Sequence, residues 1–255
     1  MRKLLLSILF AFGLTVAAHA AGDQKHPKHV DWEFDGIFGT VNEQAAQRGL
    51  QIYREVCANC HGLSRVPFRE LTKIGFSENE IKVMAAEYTF RDGPNDDGEM
   101  FDRPGLPTDK FPSPFPNEKA ARAANNGAYP PDLSLMTKAR PNGANYVYSL
   151  MTGYDEELPE DSHIQIMPGS YYNPYFPGGV IGMPPQLQPD LVTYQDGTEA
   201  TKEQLAYDIV NFLQWAAEPE METRKEMGIR VVLFLLIFTG LFFVAMKRVW
   251  ASVKK

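Results

Sequence analysis

Apolar positions first recur with helical spacing between Asn42 and Val56. Ala45, Ala46, Leu50, Tyr53 and Val56 fall on one face, and Asn42 stands where its side chain can cap the first turn. Ser77 to Tyr88 predicts a second helix: Ile81, Met84, Ala85 and Tyr88 share a face, and Ser77 with Glu80 has the form of a capping box. Glu118–Asn125 and Pro141–Met151 also read as helical. Thr201 to Ala217 is the strongest amphipathic run. Leu205, Ile209, Phe212, Leu213 and Ala216 line one side, Thr201 and Gln204 mark its start, and Pro219 ends it. Between these helices, 91–116 and 159–189 are rich in Pro, Gly, Asp, Tyr and Asn and predict long loops. Asp190 to Glu199 predicts a small hairpin.

Two further apolar runs lie at the chain ends and follow no amphipathic pattern. Met1-Arg2-Lys3 precedes Leu4–Ala18, which is apolar apart from Ser7 and Thr15, and Ala18-His19-Ala20 has the small-x-small form of a cleavage site. Residues 1–20 thus read as an export signal, excluded from the fold. Ile229–Met246 is apolar except for Arg230, and Lys247, Arg248, Lys254 and Lys255 follow it. This run, taken as 228–249, predicts a membrane-crossing helix. Its basic flank places the tail, 250–255, in the cytoplasm and the domain at 21–227 on the periplasmic side of a bacterial inner membrane.

Composition sharpens this picture at two points. Gly and Pro number 20 and 19, which suits ordered loops around a few helices more than a tight bundle. The formal net charge is −7 overall, but between residues 21 and 246 there are 19 Lys and Arg against 32 Asp and Glu, a net of −13. So acidic a domain argues against nucleic acid and suits a basic protein partner, because opposite fields speed encounter.

The chemistry rests on five residues directly after the first helix, Cys57-Ala58-Asn59-Cys60-His61. The two cysteines of the chain stand three apart, with His immediately after. That is the attachment pattern of haem c. Two thiols so spaced at a helix end can form thioethers with the two vinyl groups of one porphyrin. The next residue then presents an imidazole nitrogen to the iron. A redox dithiol would call for a βαβ context, which is absent. A zinc site would need two further ligands, with only His26, His29 and His163 at hand. The expectation is one covalent haem c, attached through Cys57 and Cys60 with His61 as an axial ligand.

A second axial ligand would suit electron transfer, whereas an open position would suit oxygen or peroxide chemistry. Met84, Met136 and Met151 fall on or beside helices and read as packing residues, and Met100 lies in an acidic loop. Met167, before Pro168-Gly169, and Met183, before Pro184-Pro185, both stand in Pro/Gly-rich loops downstream, and the residues alone do not separate them. His163 is a third candidate. Arg140 could pair with a propionate, since a fixed guanidinium binds such an anion well.

Several blocks, taken together, resemble the cytochrome c1 family. They are Ile181-Gly182-Met183-Pro184-Pro185 after Tyr172-Asn173-Pro174-Tyr175-Phe176-Pro177-Gly178; Arg103-Pro104-Gly105-Leu106-Pro107-Thr108-Asp109; Ala123 to Ser134; and Phe212 to Glu220 before the anchor. They occur in order from about residue 29 to the C-terminus. The resemblance implies a mainly α, class I cytochrome c-like haem domain with long inserted loops and one C-terminal membrane helix. It selects Met183 as the other axial ligand, has Pro130 and Pro131 wall the haem, and brings Arg140 and Tyr146 to a propionate. The function it implies is the haem c subunit of a quinol–cytochrome c reductase, housed with cytochrome b. That subunit would accept one electron from the Rieske iron–sulfur protein and pass it to cytochrome c, without a catalytic residue of its own. The alternative is a free-standing, membrane-anchored c-type cytochrome feeding a terminal oxidase or reductase.

Overall fold

A computed structural model describes residues 24–251, apart from 161 and 163, together with residue 253. The expected export signal, His163, Lys254 and Lys255 lie outside the described residues. Among the described residues the chain is mainly helical. Its helices are α1 (Glu43–Glu55), α2 (Glu78–Ala86), α3 (Glu118–Ala124), α4 (Met136–Ala139), α5 (Gly143–Thr152), α6 (Lys202–Ala217) and α7 (Met221–Ala251), with short 3-10 turns at Cys57–Asn59 and Phe68–Ile74.

The helix starts follow from side-chain chemistry. Asn42 Oδ1 accepts the Ala45 N–H at 2.9 Å, and Thr201 Oγ1 accepts that of Gln204 at 3.2 Å. Ser77 and Glu80 exchange hydrogen bonds in a complete capping box. These are donors that a helix N-terminus otherwise leaves to water.

The frame of the domain is the crossing of α1 and α6, the most extensive helix–helix contact in the molecule. Gly49 makes it possible. A Cβ there would stand 2.2 Å from the Asp208 carbonyl oxygen and 2.6 Å from Phe212 Cβ, so any larger residue would meet the α6 backbone. Arg48 beside it donates Nε and Nη2 to the two carboxylate oxygens of Asp208, both at 2.9 Å. The Asp208 side chain is fully buried. A bidentate fork is the geometry in which a buried carboxylate is best compensated. Tyr53, Phe111, Phe68 and Phe212 fill the space below, with Tyr53 edge-on to Phe111 at 5.7 Å and Phe68 tilted against Phe111 at 4.2 Å.

Three regions depart from the pattern-based expectation. The stretch 91–116 is not all loop. Thr89–Asp92 (β1) pairs antiparallel with Phe101–Pro104 (β2), and Arg103 braces the hairpin between Asp92 and Asp109. Four-residue strands among Asp, Gly and Pro carry too few alternations to be seen in sequence. Conversely, 190–199 is not a hairpin. Val192 and Tyr194 are buried, but the segment is a run of turns held by an Asp190 N–H bond to the Ala200 carbonyl. A second, two-residue pairing joins Tyr171–Tyr172 (β3) to Val180–Ile181 (β4) inside the expected loop at 159–189.

Helix α7 is longer than the apolar run. It begins at Met221, which is buried in the domain, and continues unbroken past residue 228. From Arg230 to Ala251 every residue is exposed. Over this stretch the helix is apolar on all sides, as a membrane span would be, and the whole helix of 31 residues, about 46 Å, is long enough to cross a hydrocarbon core of roughly 30 Å.

Candidate functional site

The segment Cys57–His61 leaves α1 as a tight turn, in which the Cys60 and His61 N–H groups both donate to the Cys57 carbonyl, at 3.1 and 2.9 Å. Both cysteines are half-buried and are not bonded to each other. Loss of hydration pushes the Cys57 thiol up to about 12, with Cys60 adding to the effect. As a free group Cys57 is a thiol, not a thiolate, which does not fit a low-pKa redox pair. Nor does the zinc reading gain support: no group of three His, Cys, Asp or Glu that could hold a metal occurs among the described residues.

His61 is oriented by a partner far away in sequence. Its Nδ1 lies 2.7 Å from the Pro131 carbonyl. A carbonyl only accepts, so Nδ1 carries the hydrogen and Nε2 keeps its lone pair free for a metal. Burial lowers the His61 pKa, against the pull of the Pro131 carbonyl and the Asp132 carboxylate, which keeps the ring in its neutral, ligating form. The Tyr53 hydroxyl donates to the His61 carbonyl at 3.2 Å, tying the backbone of His61 to α1.

The 130–134 segment is clamped to the attachment turn along its length. Leu133 N–H donates to the Gly62 carbonyl at 2.9 Å, and Asp132 accepts from the Ser64 and Ser134 N–H groups at 2.8 and 2.9 Å. Burial works against the Asp132 charge, but the hydrogen bonds from Ser134 and Ser64 prevail and hold its carboxyl below the ordinary value. Pro130 is half-buried and Pro131 exposed.

The two methionines that the sequence left level are placed very differently. Met167 is 69% exposed, whereas Met183 is half-buried and packs on the core. The Tyr154 hydroxyl holds the Met183 carbonyl at 2.9 Å, and the β3–β4 pairing delivers the chain to this point. A Cβ at the adjoining Gly182 would lie 3.0 Å from Ala128 Cβ. The Met183 loop and the segment leading to Pro130 are therefore neighbours, and three stretches about 70 and about 50 positions apart in sequence converge. Tyr146 is buried on α5. Burial raises its phenol, and the Arg140 guanidinium beside it pulls the other way. Arg140 itself is exposed, its only other bond among the described residues a 3.2 Å contact to the Ala139 carbonyl, so its charge is available to an anion.

The donor set fits a haem c: two thiols three apart, an imidazole with Nε2 free, a thioether sulfur in a loop backed by the core, and an available guanidinium. Sequence reasoning missed Tyr53, Asp132 and Tyr154. Each acts on a residue of the site through a contact that exists only once distant segments meet, and no local pattern marks them.

The Cytochrome C1 family model matches residues 32–253. A cytochrome c1 from Rhodospirillum rubrum is 46% identical, covering 97% of this chain and 95% of that protein. The mitochondrial "Cytochrome c1, heme protein" of Saccharomyces cerevisiae is 45% identical over 96% of this chain and 79% of its own. A "Cytochrome b/c1" protein from Bradyrhizobium diazoefficiens is 47% identical over 96% of this chain, which spans 38% of that longer protein.

Proposed function

The chain belongs to the Cytochrome C1 family, and from that membership we propose that it is the electron-transfer subunit of a quinol–cytochrome c reductase, taking one electron from a Rieske iron–sulfur protein and delivering it to cytochrome c. The name of the Bradyrhizobium relative joins cytochrome b to c1, which favours assembly with a cytochrome b over a free-standing cytochrome.

A bound haem c supplies a one-electron iron couple. The protein's own residues do the rest. Cys57 and Cys60 hold the group by thioether bonds. His61 would offer Nε2 to the iron, with the ring fixed by the Pro131 carbonyl, and Met183 would offer its sulfur. Pro130 and Pro131 wall the pocket, and Arg140 with Tyr146 receives a propionate. No general acid, base or nucleophile is required. The basic residues after the span, Lys247 and Arg248 among them, set the C-terminus in the cytoplasm and the haem domain in the periplasm, with residues 1–20 as the cleaved export signal.

The observation that carries this reading is the His61 ring, held by its Nδ1–H directly after a paired-cysteine turn with its other nitrogen free. The test is spectroscopic. Protein from its native membrane should show a low-spin haem c spectrum, and the haem should stay with the polypeptide after denaturation. Met183→Leu should lower the potential and admit carbon monoxide, and His61→Ala should abolish the low-spin form. Colourless protein with two reactive thiols would refute the proposal, and an unchanged Met183→Leu spectrum would remove Met183 from its role.

A further inference from the structure

The loop between Glu33 and Thr40 carries two large apolar side chains that the core does not use. Ile37 is 67% exposed and Phe38 77%, as open as the most exposed apolar side chains along the membrane helix itself. The loop is not loose. The Thr40 N–H closes it onto the Glu33 carbonyl at 3.0 Å, the Asn42 amide grips the Glu33 carboxylate at 2.7 Å, and Gly36 turns the tip at a φ of 71°. At its base Trp32 and Phe34 are buried and stack on each other with centroids 5.2 Å apart. A rigid support presents an exposed apolar tip.

The same loop is bonded to the start of α7. Lys225 Nζ donates to the Phe34 carbonyl at 2.6 Å and to the Gly39 carbonyl at 2.8 Å, and Glu222 accepts the Val41 N–H at 2.8 Å. These contacts fix the level of the tip along the membrane helix. Lys225 precedes the apolar run at Ile229 by four residues, about 6 Å of rise. The headgroup layer on each face of a bilayer is of similar thickness, since the full bilayer of about 40–45 Å encloses a core of about 30 Å. At the other end of the helix stands Trp250, 59% exposed. From Lys225 to Trp250 the helix rises about 38 Å, so the Phe38 ring and the Trp250 indole stand near the two boundary layers, where aromatic side chains are favoured.

We infer that the Ile37–Phe38 tip is a second membrane contact, seated in the headgroup layer beside the anchor and continuous with its lipid-facing surface. With α7 it makes a two-point attachment that sets the orientation of the domain over the bilayer as well as its distance. The inference rests on α7 lying in a membrane and is independent of the haem assignment.

The experiment places a nitroxide label on Phe38→Cys in the full chain, within its native complex reconstituted in phospholipid vesicles. Collision with oxygen, which concentrates in lipid, is compared with collision with a water-soluble nickel chelate. Asp97→Cys serves as the aqueous control and Leu236→Cys as the lipid control. The label at 38 should favour oxygen over nickel several-fold more than that at 97. Equal access at 38 and 97 would overturn the inference. So would shielding from both reagents, which would mean that protein covers the tip. The chain without an introduced cysteine, run alongside, reports Cys57 and Cys60 alone. Label there would count against the thioether bonds and not against the loop.

Discussion

Gly49→Ala sets two physical effects against each other, and the structure decides between them. Gly49 lies in the interior of α1, where helix propensity alone predicts that alanine stabilises by about 0.8–1 kcal/mol. The new Cβ, however, would sit 2.2 Å from the Asp208 carbonyl oxygen, 2.6 Å from Phe212 Cβ and 2.8 Å from the Asp208 carbonyl carbon, where ordinary contact begins at 3.4 Å. Two of these atoms are α6 backbone, so relief requires the helices to separate by more than 1 Å at their crossing. Overpacking of this kind costs roughly 1–3 kcal/mol, occasionally more. A radial gap of 0.5–1 Å around Leu50, Tyr53, Ile209 and Phe212 would forfeit a quarter to a half of each contact's dispersion energy. The expected outcome is therefore net destabilisation of about 1–2 kcal/mol, or roughly 2–8 °C in unfolding midpoint for a domain of this size. Thermal unfolding of detergent-solubilised protein, followed by near-ultraviolet circular dichroism, would read it. An unchanged or raised midpoint would refute the close-approach argument and leave propensity in charge.

Asp208→Ala should cost more, about 3–5 kcal/mol, because it takes two buried oxygens from the largely buried Arg48 guanidinium and leaves it the half-exposed Asp196; replacing both Arg48 and Asp208 by leucine should recover much of the loss, and equal costs for the single and double variants would contradict this. The depressed pKa of Asp132 means that its bonds to Ser64 and Ser134 contribute stability above the ordinary carboxylate range, a contribution lost as pH falls through the folded value. Below about pH 4 the wild type should therefore lose stability faster than Asp132→Asn, and parallel acid unfolding curves would show that the carboxylate is not holding the turn. The −13 charge of the 21–246 region predicts that reduction of a basic cytochrome c slows steeply as ionic strength rises, and a flat profile in stopped-flow measurements would exclude an electrostatic docking face.

Local chemistry determined what could be read without coordinates. The caps at Asn42, Ser77 and Thr201 satisfy donors within three residues of themselves, and the amphipathic faces of α1 and α6 repeat within a single element, so both were legible. The paired cysteines with His61 were legible for the same reason: the spacing that matters lies within five residues. The α7 span needed only composition and length. The β1–β2 hairpin was hidden because its pairing is made across a turn by short strands, and the supposed hairpin at 190–199 failed because alternation does not guarantee a partner strand.

The rest was decided by tertiary structure, because it consists of relations between segments remote in sequence. Nothing near His61 in the chain says that Pro131 orients its ring, or near Met183 that Tyr154 holds its carbonyl. From the residues themselves Met167 and Met183 were equivalent, and only folding leaves one in water and sets the other on the core. Ile37 and Phe38 read as ordinary apolar residues until Lys225, almost two hundred positions later, bonds their loop to the anchor. A side chain's type and near neighbours are sequence properties, whereas its burial, its partner and its depth beside a membrane depend on where the whole chain has come to rest.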